Sequence, residues 1–320
     1  MARPGDYLES IAALNGRPLE NVPEAADAER EELRRRLRRG RGDAAARVEE
    51  PLVYRRDLAP PASAPARPAG RVLALAEALE GAEAVSAAGA RAFERVVPAH
   101  AVDAGARDLH ALFSAAMERR AIERLLRGPT PRPAPPPGPA DVLFLDLETT
   151  GLSACQIFLA GVMEWDGDQL LVRQYLARDY SEEPAVLSLL AARLRPGTVL
   201  VTFNGRAFDV PCVRMRAAAT GVRIPHDPEH LDLLPACRRA WRHRLPNCKL
   251  QTLERWVCGR SRSGDIPGAE VPAAYHAFVR SGDAADLARI VEHNARDLLT
   301  LAELLARLSA AKPAPGGEPD

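Results

Sequence analysis

Cysteine is scarce in this chain and unpaired: Cys155, Cys212, Cys237, Cys248 and Cys258 form no CxxC spacing. An odd count of five in 320 residues excludes a small secreted disulfide framework and argues against a zinc site. The opening MARPGDYLES has no charged region followed by an apolar run, so no secretory leader is expected. No apolar stretch reaches membrane-spanning length. A reducing cytoplasm without membrane association is the expected setting. Net charge is lacking too, because 43 Lys+Arg balance 43 Asp+Glu. With no global attraction to a polyanion, any affinity for nucleic acid has to come from a local basic face. Lysine is nearly absent. Arginine, which replaces it, suits phosphate through its planar fork, although a GC-rich coding bias produces the same excess. No internal repeat occurs at solenoid spacings.

What is present divides unevenly. Hydrophobic residues make up 47% of the chain, enough for a core, but 28 prolines say that not all of it is compact. GPTPRPAPPPGPA at 128–140 reads as a semi-rigid proline linker. It separates a weakly patterned region, 1–127, from a strongly patterned one, 141–310, followed by a polar tail, 311–320. Before the linker, 24–39 form a charged helical stretch whose arginines, Arg34 to Arg41, read as a solvated face. Residues 59–70 are Pro/Ala-rich and expected to be disordered, and 71–82 and 105–127 have helical patterns. After the linker the strands are 142–148, 157–165, 169–177, 198–203 and 230–234, with a DGD hairpin turn after the second. Helices are expected at 184–195, 209–220, 237–244, 249–258, 271–281 and 283–310. The predicted fold class is α/β, a mixed sheet flanked by helices and preceded by a weakly structured N-terminal region.

The chemistry concentrates at VLFLDLE, 142–148. Val142 to Leu145 suit a central strand buried on both faces. Asp146 and Glu148, two apart, project to one face at its end, where desolvation and mutual repulsion call for a positive partner. Clustered carboxylates usually find it in a hard divalent cation. Asp209, in TFNGRAFDVP, opens a helix after an apolar strand, as an N-cap or as a third acid. The last helix carries an apolar stripe of Leu287, Ile290, Val291, Leu298, Leu301, Leu305 and Leu308. Asn294 and Asp297 interrupt it, and His293 stands four before Asp297 on the same face. Polar groups in a core stripe are costly unless they serve a purpose. Alone, His293 reads as a hydrogen-bonded core histidine.

DLETTGL at 146–152, FNGRAFD at 203–209 and HNARD at 293–297 resemble the three motifs of the DEDD exonucleases, on the ribonuclease-H-like fold. With RLPNCKLQTLE at 244–254 and DIPGAEVP at 265–272, the resemblance is to the YprB-type ribonuclease-H-like domain, over about residues 141–310. It implies that Asp146, Glu148, Asp209 and Asp297 are ligands of two Mg²⁺ or Mn²⁺ ions and that neutral His293 is the general base. The common subclasses place His five before the last Asp or Tyr four before it, whereas here a His takes the Tyr spacing. The implied reaction removes nucleotides from a 3′ end, of DNA or RNA, single-stranded. Thr149 and Thr150 would position the terminal nucleotide, or only end the strand; Asn204 would orient substrate, or only make an Asn-Gly turn. Arg206, Arg238, Arg239, Arg242, Arg244 and Lys249, with Trp241 among them, make either a phosphate-tracking and stacking surface or a solvated helix over a buried Trp. Arg206, Arg242 and Lys249 are the expected phosphate contacts. Asp232 and Asp265 read as a cap and a turn residue. The alternatives to an exonuclease are a nucleic-acid-binding module without turnover and an endonuclease on the same fold.

Overall fold

The computed structural model describes residues 72–127, 136–151, 156–167, 169–262 and 264–310. The basic helix expected at 24–39, the Pro/Ala stretch at 59–70, most of the linker and the tail lie outside the described residues. In chain order the elements are α1 (Leu75–Ala78), β1 (Ala82–Val85), β2 (Arg91–Pro98), α2 (Ala99–Val102), α3 (Leu109–Glu118) and α4 (Ala121–Arg127). After the linker come β3 (Val142–Thr149), β4 (Ile157–Asp166), β5 (Gln169–Leu176), α5 (Glu183–Ala191), β6 (Val199–Thr202) and α6 (Asp209–Thr220). The chain continues with β7 (Glu229–Asp232), α7 (Leu233–Trp241), α8 (Leu250–Trp256), α9 (Val271–Ser281) and α10 (Ala285–Ala310).

One seven-stranded sheet, in the order β1-β2-β5-β4-β3-β6-β7, carries the fold. Strands β1, β2, β5, β4 and β3 pair antiparallel, while β3, β6 and β7 run parallel. This is the mixed sheet flanked by helices that the pattern after the linker predicts, an α/β arrangement. The helix expected over 71–82 shrinks to α1.

The expected division at 141 does not hold. β2 pairs with β5 from Phe93↔Leu176 to Pro98↔Leu171, and β1 pairs with β2. Without them β5 would present an unpaired edge of N–H and C=O groups, a costly surface that β2 covers. Helix α3 lies against the same sheet: Phe113, fully buried, meets Phe144 edge-on at 5.7 Å between ring centroids and Trp165 at 5.8 Å. Residues from 72 on therefore pack into the same core as β3, so the boundary expected at the linker does not divide the described residues.

β3 is buried on both faces, as its apolar run predicts. Leu143, Leu145 and Leu147 point into one core, with Phe158, Tyr175 and Tyr275; Val142 and Phe144 point into the other, with Phe113, Met163 and Trp241. By the two-residue alternation of a strand, Asp146 and Glu148 continue the Phe144 face. α10 bridges the two cores: Leu287, Ile290 and Val291 pack in the first, Ala295 and Leu298 onward in the second, with Asn294 between. Among the described residues no helix is long and apolar enough to cross a membrane. Cys212, Cys237, Cys248 and Cys258 are free.

Candidate active site

The site forms where two parallel strands part. β3 pairs with β6 only from Val142↔Val199 to Phe144↔Val201, so Asp146, Leu147 and Glu148 run on beyond the last β6 partner. The carboxyl ends of parallel strands are where open α/β sheets leave a crevice for ligands. On the other flank β4 still pairs, Asp146 opposite Gly161 and Glu148 opposite Leu159, with a bulge between Glu148 and Thr149 that ends the regular register. Asp209 follows β6 across this gap as the first residue of α6. It is not an N-cap, a position that falls on Phe208; instead its buried carboxylate lies near enough to Asp146 and Glu148 for its charge to act on both. α10 brings Asn294 and Asp297 over the same strand end.

The four acids share one electrostatic environment. Burial pushes the Asp146 carboxyl well above its ordinary range, and the charges of Asp297, Glu148 and Asp209 push it further, against a smaller pull from His293. Burial raises Glu148 to about 8, with His293 opposing and Asp297 and Asp209 adding to the rise. Burial raises Asp209 to about 7, against its backbone hydrogen bonds. Asp297 behaves differently: burial alone would raise it, but His293 and Arg262 hold it below the usual range.

The reason is a charged cluster that the sequence pattern did not disclose. Arg262, almost fully buried, donates Nη2 to Asp297 Oδ1 and Nε to Glu254 Oε2 at 2.5 Å, with Nη1 3.5 Å from Asp265 Oδ2. Burial would lower the Arg262 guanidinium, but Asp297 and Glu254 more than offset it. His293 stands between two carboxylates, Nδ1 2.7 Å from Asp265 Oδ1 and Nε2 3.3 Å from Asp297 Oδ2. Burial would lower the imidazole, yet its bonds to Asp297 and Asp265 and the charge of Glu148 raise it to about 10. Against the expected neutral His293, the metal-free arrangement favours the imidazolium, because both nitrogens face carboxylates, with Arg262 Nη1 opposing at 3.3 Å from Nδ1. Asp265 holds the histidine as well as bonding the N–H of Ile266, so it is more than a turn residue.

The other expected contacts fall further out. Thr149 is buried and donates its hydroxyl to the Gly151 carbonyl at 2.6 Å, while Thr150 Oγ1 accepts the Gln156 N–H at 3.0 Å. Both hydroxyls shape the turn that leaves β3. Asn204 has φ 64, and Asp232 fixes its turn by accepting the N–H groups of Asn204 at 2.8 Å and Arg206 at 3.1 Å. Asp232 also caps α7 through the Leu234 N–H, as expected. The Asn204 side chain is exposed beside the strand ends. Arg206, exposed, donates to the His230 carbonyl and lines a cavity of about 360 Å³ with Leu145 and Arg214, on the leucine side of the sheet rather than among the acids. Arg242 follows α7, where it bonds His243, and Lys249 precedes α8; neither is in contact with an acid. Trp241 is buried to 2%, which removes it from any stacking surface.

A divalent cation is tested by the donors themselves. Among the described residues, Asp146, Glu148 and Asp209 form no ion pair with Lys or Arg, and each is raised by burial and by neighbouring carboxylates. Buried hard oxygens left uncompensated are what such an ion takes. Also among the described residues, no three His, Cys, Asp or Glu side chains stand together as a ready-made metal group. Arg262 engages the fourth acid, Asp297. In donor type, hard carboxylate oxygen, Asp146, Glu148 and Asp209 suit a divalent cation, although the described side chains are not gathered around one.

Comparison with known proteins adds a family. The RNase_H superfamily profile matches residues 143–309. The chain is 34% identical over 174 residues to "Uncharacterized protein YprB" of Bacillus subtilis (strain 168), covering 53% of this chain and 42% of the relative. It thus spans less than half the length of that relative. Among solved structures, a family B DNA polymerase of the archaeon Pyrobaculum calidifontis overlaps 57% of this chain and 28% of its own at 19% identity and a TM-score of 0.41.

Proposed function

The chain belongs to the RNase H superfamily, as a YprB-type RNase H-like domain protein, and on that premise we propose that it is a metal-dependent 3′–5′ exonuclease acting on single-stranded nucleic acid. What supports the reading is that Asp146, Glu148, Asp209 and Asp297, from three distant segments, act on one another electrostatically near one strand end, three of them without an ion pair to Lys or Arg among the described residues. No core-building role calls for that, since each buried carboxylate costs desolvation and repels the others. The 3′ polarity rests on the likeness of DLETTGL, FNGRAFD and HNARD to the exonuclease motifs.

Asp146, Glu148 and Asp209 would hold the ion, Mg²⁺ or Mn²⁺, with Asp297 at its border. When bound, such an ion supplies Lewis acidity at a phosphoryl oxygen and acidifies water. The chain's own groups do the rest. Asp265 accepts a hydrogen bond from His293 Nδ1–H, which leaves Nε2 as the nitrogen facing the acids; once the ring has given up its Nε2 proton, that atom would take one from water. Arg262 keeps Asp297 charged and in place beside that nitrogen. The exposed Asn204 turn and the cations Arg206, Arg242 and Lys249 would take up the phosphates leading away from the 3′ end. The Thr149 hydroxyl, bonded to the Gly151 carbonyl, and the Thr150 hydroxyl, which accepts the Gln156 N–H, would shape the end of β3.

The test is purified protein with Mg²⁺ or Mn²⁺ and 5′-labelled single-stranded DNA and RNA. A ladder shortening from the 3′ end, absent in Asp146→Asn and in chelator, is the expected result. Internal cutting of a circular substrate would make it an endonuclease, and retardation without cleavage would make it a binding module.

A further inference from the structure

A row of polar residues crosses the sheet and ends on Asp146. In register, Arg95 of β2 lies opposite Gln174 of β5, Gln174 opposite Gly161 of β4, and Gly161 opposite Asp146 of β3. Cross-strand neighbours share a face, so all four stand on the face that carries the acids. Asn294 of α10 lies over Gly161 and joins the two halves of the row. Its Nδ2 donates to the Asp146 carboxylate at 2.8 Å and to the Asp146 carbonyl at 3.0 Å. Its Oδ1 accepts Gln174 Nε2 at 2.8 Å. Gln174 Nε2 also donates to the Val291 carbonyl at 2.7 Å, and its Oε1 accepts Arg95 Nη1 at 2.9 Å. Arg95 is anchored in turn by Glu292 at 2.7 Å.

The direction of this chain is not arbitrary. A guanidinium can only donate, so Gln174 must present its oxygen to Arg95 and its nitrogen to Asn294. Asn294 must then accept at Oδ1 and direct both amide hydrogens at Asp146. A flipped Asn294 would set an oxygen against the carboxylate and two donors against each other. The polarity fixed on β2 is thus passed across the sheet to a carboxylate four strands away from β1 in the sheet order. The linking amide takes the space above Gly161: a Cβ there would lie 1.9 Å from Asn294 Oδ1 and 2.7 Å from its Cγ. Asn294 and Gln174 are buried to 0% and 1% exposure, so water cannot substitute for either bond. The grip engages Oδ2 of Asp146 and leaves Oδ1 outside the chain of bonds.

We propose that Asn294, Gln174 and Arg95 are positioning residues that hold the Asp146 carboxylate in one orientation for a divalent cation, with Gly161 as the gap that admits the linking amide. The proposal deepens the nuclease reading and rests on its assignment of Asp146 as a ligand. It also gives β2, which lies before the proline linker, a part in the site.

The experiment measures Mn²⁺ binding to the full chain, with the metal alone as probe, by paramagnetic relaxation of water protons, and thermal unfolding in parallel. Asn294→Leu keeps the volume and removes the grip; the expected loss of Mn²⁺ affinity is roughly 10–100-fold, the usual effect of removing a partner behind a metal ligand. Gly161→Ala deletes no polar group yet should reproduce that loss by displacing Asn294. Gln174→Met and Arg95→Met should lose less, in the same direction. Nuclease rate in all four should recover as Mn²⁺ is raised, with the KM for oligonucleotide unmoved, because none touches the substrate. Should Asn294→Leu not fold, Gln174→Met decides. If these variants unfold at lower temperature but bind Mn²⁺ as the parent does, while Asp146→Asn has lost binding, the positioning role is wrong and the ligand assignment stands. If Asp146→Asn itself binds Mn²⁺ undiminished, the ligand assignment falls and the proposal with it.

Discussion

Replacing Phe113 by alanine should destabilise the whole nuclease domain, although the residue lies before the proline linker. The ring is fully buried, edge-on to Phe144 and tilted against Trp165. Phe144 is two residues before Asp146 on the same face of β3, so the hole opens directly under the strand that carries the site. Truncating a fully buried Phe costs about 3–5 kcal/mol. Against a total stability of about 5–15 kcal/mol, that is a large share. For a domain of this size the midpoint should fall by roughly 6–20 °C, taking about 2–4 °C per kcal/mol. Calorimetry should show one transition for parent and variant, moved to lower temperature as a unit. A fragment of residues 138–310 should then fail to unfold cooperatively, since it lacks Phe113, Ile122, Leu109 and the strand that covers β5. An unchanged midpoint for Phe113→Ala, or a fragment melting like the full chain, would refute the shared core and restore a boundary at the linker.

Mn²⁺ or Mg²⁺ should raise the melting temperature of the parent, by the equivalent of about 2.7 kcal/mol at a hundredfold excess over Kd, and Asp146→Asn should lose that increment in the same titration. In the metal-free protein, Glu148 and Asp209 have folded pKa values raised to about 8 and about 7, so their protonated forms favour the fold. The contribution of these two acids should therefore decline as pH rises from about 4 and level off above about 8, and denaturant midpoints of the His293→Ala background across that range check the sign. His293, raised to about 10, adds stability that is complete below its unfolded value near 6.5 and lost as pH climbs through 10, which His293→Ala should remove from the curve. Arg262→Met leaves Asp297 and Glu254 as buried acids without their partner and should cost about 3–5 kcal/mol by urea unfolding, more than any exposed arginine change.

The strands and helices after the linker could be read in order from the sequence because each is a local pattern: β3 as an unbroken apolar run, α10 as a stripe of 3.6-residue period. The same periodicities disclosed Asp146 and Glu148 on one strand face, and Asn294 and Asp297 as polar interruptions of a core stripe, since a polar residue in an apolar repeat is visible without a partner. β1 and β2 were hidden because β1 is short, and because the alanine-rich chain around them has helical propensity that pairing with the β5 edge overrides. Arg262, Glu254 and Asp265 gave no local sign: an arginine in a loop looks solvated until a helix brings Asp297 to it. The same holds for Arg95, Gln174 and Gly161, which stand in three strands far apart in the chain and become one row only through register. Sequence by itself determined which groups could do chemistry, because residue type and period are local properties. Only the tertiary structure decided which of them are uncompensated, which are held by a cation of the chain, and in which direction each hydrogen bond runs, because desolvation, charge and donor–acceptor order depend on neighbours the chain supplies from elsewhere.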